Sequence, residues 1–420
     1  MPFIVEAGEE RNLSGLTLKN VFVSGEEGYH TFRIPSLLIT PDGTILAFAE
    51  GRADSASDTG NIDTVLKRSF DGGNTWEPLQ VICDDAENTC GNPTAVRDEE
   101  TGRIWLFLTH NFGEDEQREI INGTSKGVRT IWSAYSDDDG ATWSEPVNRF
   151  EEVQAPSTRW DATGPGAGIQ LRHGPNKGRL IIPAIGRNIQ SDDHGETWHE
   201  SGRLFSGTSE ATIVELTDGR LLRNDRSVSN KEAKRRAVSY SEDQGETWSP
   251  IVYPPELIDP IVAGSMTRLY PSDHPSGDQT ILFANPASEQ FRENMTVRMS
   301  MDDGETWPIA KTIYSYKSGY SSLAVFPDYE TIGLLFEGGE SAANERIMFA
   351  VFSREWLVSD EPVLDALEIE GGRLSPAFTE GIYEYAVYAD EQAASVVLIP
   401  SSSADGAVIR VNGVEIASGE

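Results

Sequence analysis

Histidines, cysteines and grouped carboxylates are the side chains that most often hold a metal, and here their spacing argues against it. The six histidines, His30, His110, His173, His194, His199 and His274, show no ligand spacing, and Cys83 and Cys90 stand seven positions apart with no third or fourth ligand nearby. No zinc site, and no metal or cofactor of any other kind, is expected. The two cysteines fit a local disulfide as well as two free thiols. Acidic residues number 68 against 34 basic ones, a net charge of −34. That balance disfavours nucleic acid and anionic membranes as partners. It leaves room for a small anionic ligand, because surface charge is screened beyond about 8 Å at physiological salt and a local group of arginines can dominate a pocket.

The elements that would build such a pocket announce themselves through a repeat. The octapeptide S-x-D-x-G-x-T-W occurs as SFDGGNTW (69–76), SDDDGATW (136–143), SDDHGETW (191–198), SEDQGETW (241–248) and SMDDGETW (300–307). Ser and Asp side chains bond the backbone of a tight turn, and Gly supplies a positive φ. Thr and Trp re-enter a strand, and the Trp is expected to bury its ring against the next unit. Strand-like segments precede the boxes, among them Thr130–Tyr135 and Met295–Met299, and no long stretch has helical periodicity. Successive boxes start 67, 55, 50 and 59 residues apart, a period that suits a four-stranded propeller blade. Dividing the strand-rich region, Lys19 to Trp356, by that period gives about six blades. The expected fold is therefore all-β, a six-bladed propeller over residues 1–358. With 420 residues and 38% hydrophobic content, the chain can bury a core of that size. No apolar run reaches the roughly 18 residues of a membrane span. The start, Met1 to Glu6, lacks a charged region followed by an apolar one, so no signal peptide is expected in this numbering.

The octapeptides resemble the Asp-boxes of the sialidase superfamily, which also occur in non-catalytic propellers. Longer segments extend the resemblance. Phe32-Arg33-Ile34-Pro35 is similar to the first-blade signature of sialidases, which makes Arg33 the first of their three carboxylate-binding arginines. In LAFAEGRADSASDTGNIDTVLKRS (46–69), Arg52 is followed six positions later by Asp58, matching the acid/base aspartate; Asp54 and Asp63 are rivals. In SEATIVELTDGRLLRNDRS (209–227), Glu210 and Arg226 stand sixteen apart, like the tyrosine-activating glutamate and the second arginine. Glu215 and Arg223 are their bland neighbours. ANPASEQFRENMTVRMS (284–300) resembles the segment with the third arginine, Arg292. SGYSSLAVFPDYETIGLLFEGG (318–339) resembles the nucleophile segment, with Tyr320 as nucleophile and Glu337 as the glutamate that steadies the first arginine. Arg52 joins Glu337 in a supporting role. Asn92, Trp160 and Asp161 are candidates for the pocket that takes the sugar's acyl or glycerol arm. One departure concerns the stretch between Ala184 and the third box, where only Ile185 to Gln190 intervene and relatives carry a longer loop.

The resemblance implies a retaining exo-sialidase acting on sialylated glycans, and the chemistry accounts for the residue types. Sialic acid bears a carboxylate on its anomeric carbon, and guanidinium groups bind carboxylates through paired, planar hydrogen bonds. A carboxylate nucleophile about 4 Å away would be repelled by roughly 4 kcal/mol at an effective dielectric near 20, about three decades in rate. A neutral phenol avoids that repulsion but needs a base. Hydrolysis of a related acidic sugar such as Kdn or Kdo, sugar transfer, and a non-catalytic lectin are the competing readings. A secreted or cell-surface monomer is expected.

Beyond a Ser-Asp-Glu-Pro linker (359–362), residues 363–420 carry no box. Tyr383, Tyr385 and Val387 alternate, and VVLIP (396–400) and VIRVNGVEI (408–416) read as further strands about an Asn-Gly turn. This piece resembles a cadherin-like β-sandwich module, shorter than the roughly 100 residues of a full sandwich, so the sequence is expected to stop within that domain.

Overall fold

The computed structural model describes residues 10–13, 15–204, 207–359, 366–375, 386–389, 392–393, 395–401, 409–411 and 414–416. The chain divides into two compact units, Glu10–Leu357 and the residues outside it. The first unit is all-β. Its strands fall into consecutive antiparallel groups. Thr31–Ile39, Ile45–Arg52, Ile62–Ser69 and Gln80–Cys83 pair in chain order. Thr89–Arg97, Ile104–Asn111, Thr130–Ser136 and Val147–Asn148 repeat the pattern. Ile169–Gln170, Leu180–Ala184, Arg187–Ser191 and His199–Glu200 do so again. Thr208–Glu215, Leu221–Ser227 and Ala237–Ser241 follow, with Val252 bridging to Val238. The long strand Ile309–Val325 serves two groups. Its first half closes Ser265–Arg268, Ile281–Pro286 and Glu293–Ser300. Its second half opens the group of Thr331–Gly339 and Arg346–Ser353. Leu16–Val23 pairs with Arg346–Ser353, so the beginning and the end of the unit are hydrogen-bonded together.

Burial explains why these segments read as they do. Every residue of Ile45–Arg52 is buried, as expected of a strand covered on both faces. The boxes link third strands to fourth strands. In the first, Asp71 accepts from the Thr75 N–H at 2.9 Å and its hydroxyl at 2.7 Å, while the Ser69 hydroxyl donates to Asp71 and accepts from the Gly73 N–H. Gly73 has φ +87°, and a Cβ there would lie 2.5 Å from the Phe349 ring. Three box tryptophans pack on the preceding group, contrary to the sequence expectation of the next one, while Trp307 meets Phe283 of its own group at 6.1 Å. Trp76 meets Phe349 edge-on at 5.5 Å, Trp143 meets Phe48 at 5.7 Å, and Trp198 packs on Trp105 and Phe107. The turn throws its ring backward because the box glycine has already brought the hairpin against that neighbour.

Four of the strands that contribute to the cleft described below break register near its residues. The shifts lie between Arg33 and Ser36, Gly91 and Thr94, Thr208 and Ala211, and Ser318 and Ser321. A bulge re-aims side chains locally while the rest of the strand keeps its pairing.

In the second unit, Ala366–Glu370 pairs with Val397–Ser401, Gly372–Ser375 with Ala386–Ala389, and Ile409–Val411 with Val414–Ile416. Tyr383, Tyr385, the Asn412-Gly413 turn and most of the linker at 359–362 lie outside the described residues.

Candidate active site

The bulges gather residues from across the sequence into a cleft of about 290 Å³. Arg33, Arg52, Asp58, Asn92, Trp160, Glu210, Arg226, Arg292 and Tyr320 all line it. Glu337 stands directly behind. A larger cavity, about 620 Å³, opens farther along the same strands, and none of the predicted site residues reaches it.

At the centre, the Tyr320 hydroxyl donates to Glu210 and accepts from Arg226 Nη1 at 3.0 Å. Arg226 also holds the second oxygen of Glu210 at 2.6 Å. The Arg33 and Arg292 guanidiniums lie 5.2 and 5.7 Å from the Tyr320 ring centroid. Burial, and then the neighbouring Glu210 charge, push the Tyr320 phenol well above its ordinary range, against the pull of Arg226 and Arg33. The free site therefore holds a neutral phenol already bonded to a base.

Glu337 is 1% exposed and acts as a hub. Its two oxygens take Arg33 Nε at 3.1 Å and Nη2 at 3.3 Å, the Ile34 N–H at 2.9 Å and the Tyr320 N–H at 3.1 Å. One carboxylate thus fixes an arginine and the backbone of the tyrosine together. Ile34 has φ +59°, a strained value for a β-branched residue, and its N–H is aimed at that carboxylate.

Asp58 sits on the exposed segment between Ile45–Arg52 and Ile62–Ser69, its side chain 73% exposed. It pairs with Arg52 Nη1 at 2.8 Å and Arg33 Nη1 at 3.2 Å. Desolvation at the cleft wall opposes its charge, but Arg52 and Arg33 outweigh this and hold the carboxyl below the usual aspartate range. Of its rivals, Asp63 is buried and bonded to the Tyr29 hydroxyl at 2.6 Å, and neither Asp63 nor Asp54 lines the cleft.

Two further sequence readings are corrected or extended. Asp161 does not line the cleft; it is buried in a two-pronged pair with Arg187 at 2.8 and 2.7 Å and braces the Trp160 segment from behind. The short stretch after Ala184 folds as a tight hairpin that puts Ile185 on the cleft wall. The bland neighbours stay out of the cleft: Arg223 pairs with Asp225, and Glu215 accepts the Arg172 and His173 N–H groups and the Ser272 hydroxyl. Cys83 and Cys90 are free and buried. The hydrogen bond with Cys83, together with burial, keeps the Cys90 thiol well above the usual range.

Sequence reasoning missed Glu50, Gln117, Arg129 and Ser209, all on the cleft. Arg129 is buried, donates to Asn92 Oδ1 at 2.7 Å and Thr109 Oγ1 at 2.6 Å, and lies 4.4 Å from the Trp160 ring centroid. Glu50 takes Arg52 and the Asn92 N–H. Glu50 stands two residues before Arg52 on one strand, a same-face spacing that could have flagged it. Nothing local separates Arg129 from other strand-end arginines. Among the described residues, five arginines face three carboxylates in the cleft, a positive site in a strongly acidic protein.

The strand groups and their box hairpins define a β-propeller of the kind built from BNR-type repeats, and the comparisons name the family. Residues 43–334 match the BNR repeat-like domain family. The chain is 36% identical over 366 residues to a sialidase of Micromonospora viridifaciens, covering 81% of this chain and 54% of that protein. It is 35% identical over 367 residues to an exo-alpha-sialidase of Aspergillus fumigatus, covering 79% of this chain and 86% of that one. The solved Hadza microbial sialidase Hz136 superposes with a TM-score of 0.72 at 30% identity, covering 81% of this chain and 69% of that chain. The chain belongs to the sialidase family. It spans about half the length of the Micromonospora relative.

Proposed function

We propose that this protein is a retaining exo-sialidase that hydrolyses terminal, α-ketosidically linked sialic acids from glycoconjugates through a tyrosine-linked intermediate. The observation that carries the reading is the Tyr320 hydroxyl held between Glu210 and Arg226. In this mechanism Arg33, Arg226 and Arg292 bind the sugar carboxylate. The Tyr320 oxygen attacks the anomeric carbon as its proton passes to Glu210, and Arg226 steadies the developing negative charge. Asp58 gives a proton to the departing glycosidic oxygen, so the bond to the aglycone breaks as the bond to Tyr320 forms. Water then attacks the same carbon, losing its proton to Asp58, while Glu210 returns a proton to Tyr320. Two displacements retain the configuration. In the free site Arg33 and Arg52 hold Asp58 ionised. A substrate carboxylate on Arg33 would weaken that hold and raise the Asp58 pKa toward its acid role.

The cleft's excess of arginines supports an anionic sugar over a neutral one. The six-bladed reading of the propeller is supported by the antiparallel groups along the chain and by the pairing of Leu16–Val23 with Arg346–Ser353. We assign residues 1–358 to the propeller and 363–420 to a partial β-sandwich module. Sialylated glycans as partners and a secreted or cell-surface monomer complete the proposal. No helix among the described residues is long and apolar enough to cross a membrane.

A fluorinated sialic acid that slows the second displacement tests the mechanism. The expected result is a covalent adduct mapped to Tyr320, forming much more slowly in Glu210→Gln. An adduct on any carboxylate, or an inverted first-formed product by NMR, would overturn the reading.

A further inference from the structure

Asp58 poses a positional problem. Residues 54–58 are exposed, and among the described residues the Asp58 carboxylate is held only by Arg33 and Arg52. In the proposed reaction Arg33 turns to the substrate carboxylate, so one of those holds is given up when proton transfer is needed. Arg52 then remains, on Asp58 at 2.8 Å and on the Ala56 carbonyl at 2.7 Å, and the reach of Asp58 depends on that arginine together with the ends of its loop.

Both ends meet Tyr29. The strand entering the loop ends at Gly51 and Arg52, and the strand leaving it begins at Ile62 and Asp63; Gly51 and Asp63 are register partners. The Tyr29 ring lies so close over Gly51 that a Cβ there would stand 2.7 Å from it. Its hydroxyl donates to Asp63 Oδ2 at 2.6 Å. The adjacent His30 N–H donates to the Ala53 carbonyl at 3.3 Å, and the Ala53 N–H donates to the Asn61 carbonyl at 3.0 Å, closing the loop's neck. Asp63 is 7% exposed and its other oxygen is buried without a protein partner among the described residues. A half-satisfied buried carboxylate is costly to the fold, and this one gives Tyr29 its anchor.

We infer that Tyr29 is a positioning residue for proton transfer, its ring on Gly51 and its hydroxyl on Asp63 fixing both ends of the 53–61 loop and so the reach of Asp58. The inference rests on the reading of Asp58 as the acid/base group.

The test compares sialyllactose, whose leaving group needs a proton, with an aryl sialoside that leaves unaided. Tyr29→Phe keeps the ring and removes the bond to Asp63. It should lower kcat on sialyllactose about tenfold with KM within about twofold, and lower kcat on the aryl sialoside by less than about threefold. Amide exchange at residues 54–58 should quicken while the box hairpins stay unchanged. Asp63→Asn, whose side-chain oxygen can still accept from Tyr29, should stay within about threefold of the parent on both substrates. Equal losses on the two substrates in Tyr29→Phe, or unchanged exchange in the loop, would overturn the inference. If Tyr29→Phe fails to fold, Asp63→Ala breaks the same bond from the other side and must meet the same outcomes. Asp58→Ala runs in parallel. If it too loses activity equally on both substrates, the acid/base reading has failed; if it discriminates and Tyr29→Phe does not, only the role of Tyr29 has failed.

Discussion

The box hairpins and the cleft solve the same problem, polar groups held in fixed places, on opposite scales of sequence. In each box, Ser, Asp, Gly and Thr satisfy one another within eight residues, as in Ser191 to Trp198. In the cleft the partners are far apart: Tyr320 and Glu210 are separated by 110 positions, and Arg33 and Glu337 by 304. The boxes pin one group of strands to the one before it, and the cleft depends on that pinning being right around the whole unit. A hairpin of this kind can be damaged without touching the chemistry. A residue behind the cleft such as Glu337, which holds Arg33 and the Tyr320 N–H, ties the fold to the site.

The largest effect that would expose this difference is on Arg33. Lysine keeps the charge but loses the planar pair of donors that grips Glu337 and a carboxylate ligand together. Arg33→Lys should lower kcat/KM on a sialoside by about a hundredfold or more, since charge-assisted paired bonds are the strong ones. Circular dichroism and melting should show the fold retained. Turnover near that of the parent would mean that Arg33 does not bind the sugar carboxylate.

Glu337→Gln should mark the middle ground. The substitution leaves the Arg33 charge without its buried partner, a change that costs about 3–5 kcal/mol in comparable pairs. It also disturbs the bonds to the Ile34 and Tyr320 N–H groups. Both melting temperature and kcat should fall, the latter by about tenfold or more if nucleophile placement carries a few kcal/mol of the barrier. A variant that lost stability and kept kcat would show that Glu337 supports the fold alone, and would make the residues behind the cleft resemble the box hairpins.

The same contrast explains what could be read from the sequence. The boxes were legible because each is a complete set of mutually satisfying residues at fixed short spacing, though the side on which Trp76, Trp143 and Trp198 pack was not, since it depends on which group the hairpin leans against. The residues singled out from family-like segments, Tyr320, Glu210, Arg226, Arg292, Arg33 and Asp58, do come together in one cleft. Their convergence rests on bulges at Arg33–Ser36, Gly91–Thr94, Thr208–Ala211 and Ser318–Ser321, and alternation along a strand carries no sign of a bulge. Arg129 is hidden for that reason: its place in the cleft depends on long-range partners, the Asn92 amide at the bulge, the Thr109 hydroxyl and the Trp160 ring. Asp161 was misplaced because its neighbour Trp160 faces the cleft while its own side chain faces Arg187.

The smallest effect concerns pH, and it separates the two regions by sign. Hydrogen bonds from the Thr75 side chain and backbone hold Asp71 at about 2. Asp138, Asp193, Asp243 and Asp302 are lowered as well, the bonds from their box threonines and serines outweighing an opposing burial effect. A folded-state pKa below the unfolded value of about 3.9 means stability that is full above that value and lost as pH falls toward the folded one. Asp63 runs the other way: burial, only partly offset by the Tyr29 bond, raises it to about 6. Its contribution is full below about pH 3.9 and is lost as pH rises through about 6. Melting temperature followed from pH 2 to pH 8 should therefore rise along an acid limb up to about pH 4, fall along a neutral limb between about pH 4 and 6, and level off above it. Asp193→Ala should lower the melting temperature by a few degrees, flatten the acid limb and leave kcat unchanged, since the box makes no contact with the cleft. Asp63→Asn should leave the acid limb alone and remove the neutral limb. If Asp193→Ala altered the neutral limb, or Asp63→Asn the acid one, the two regions would be coupled through more than the strands they share.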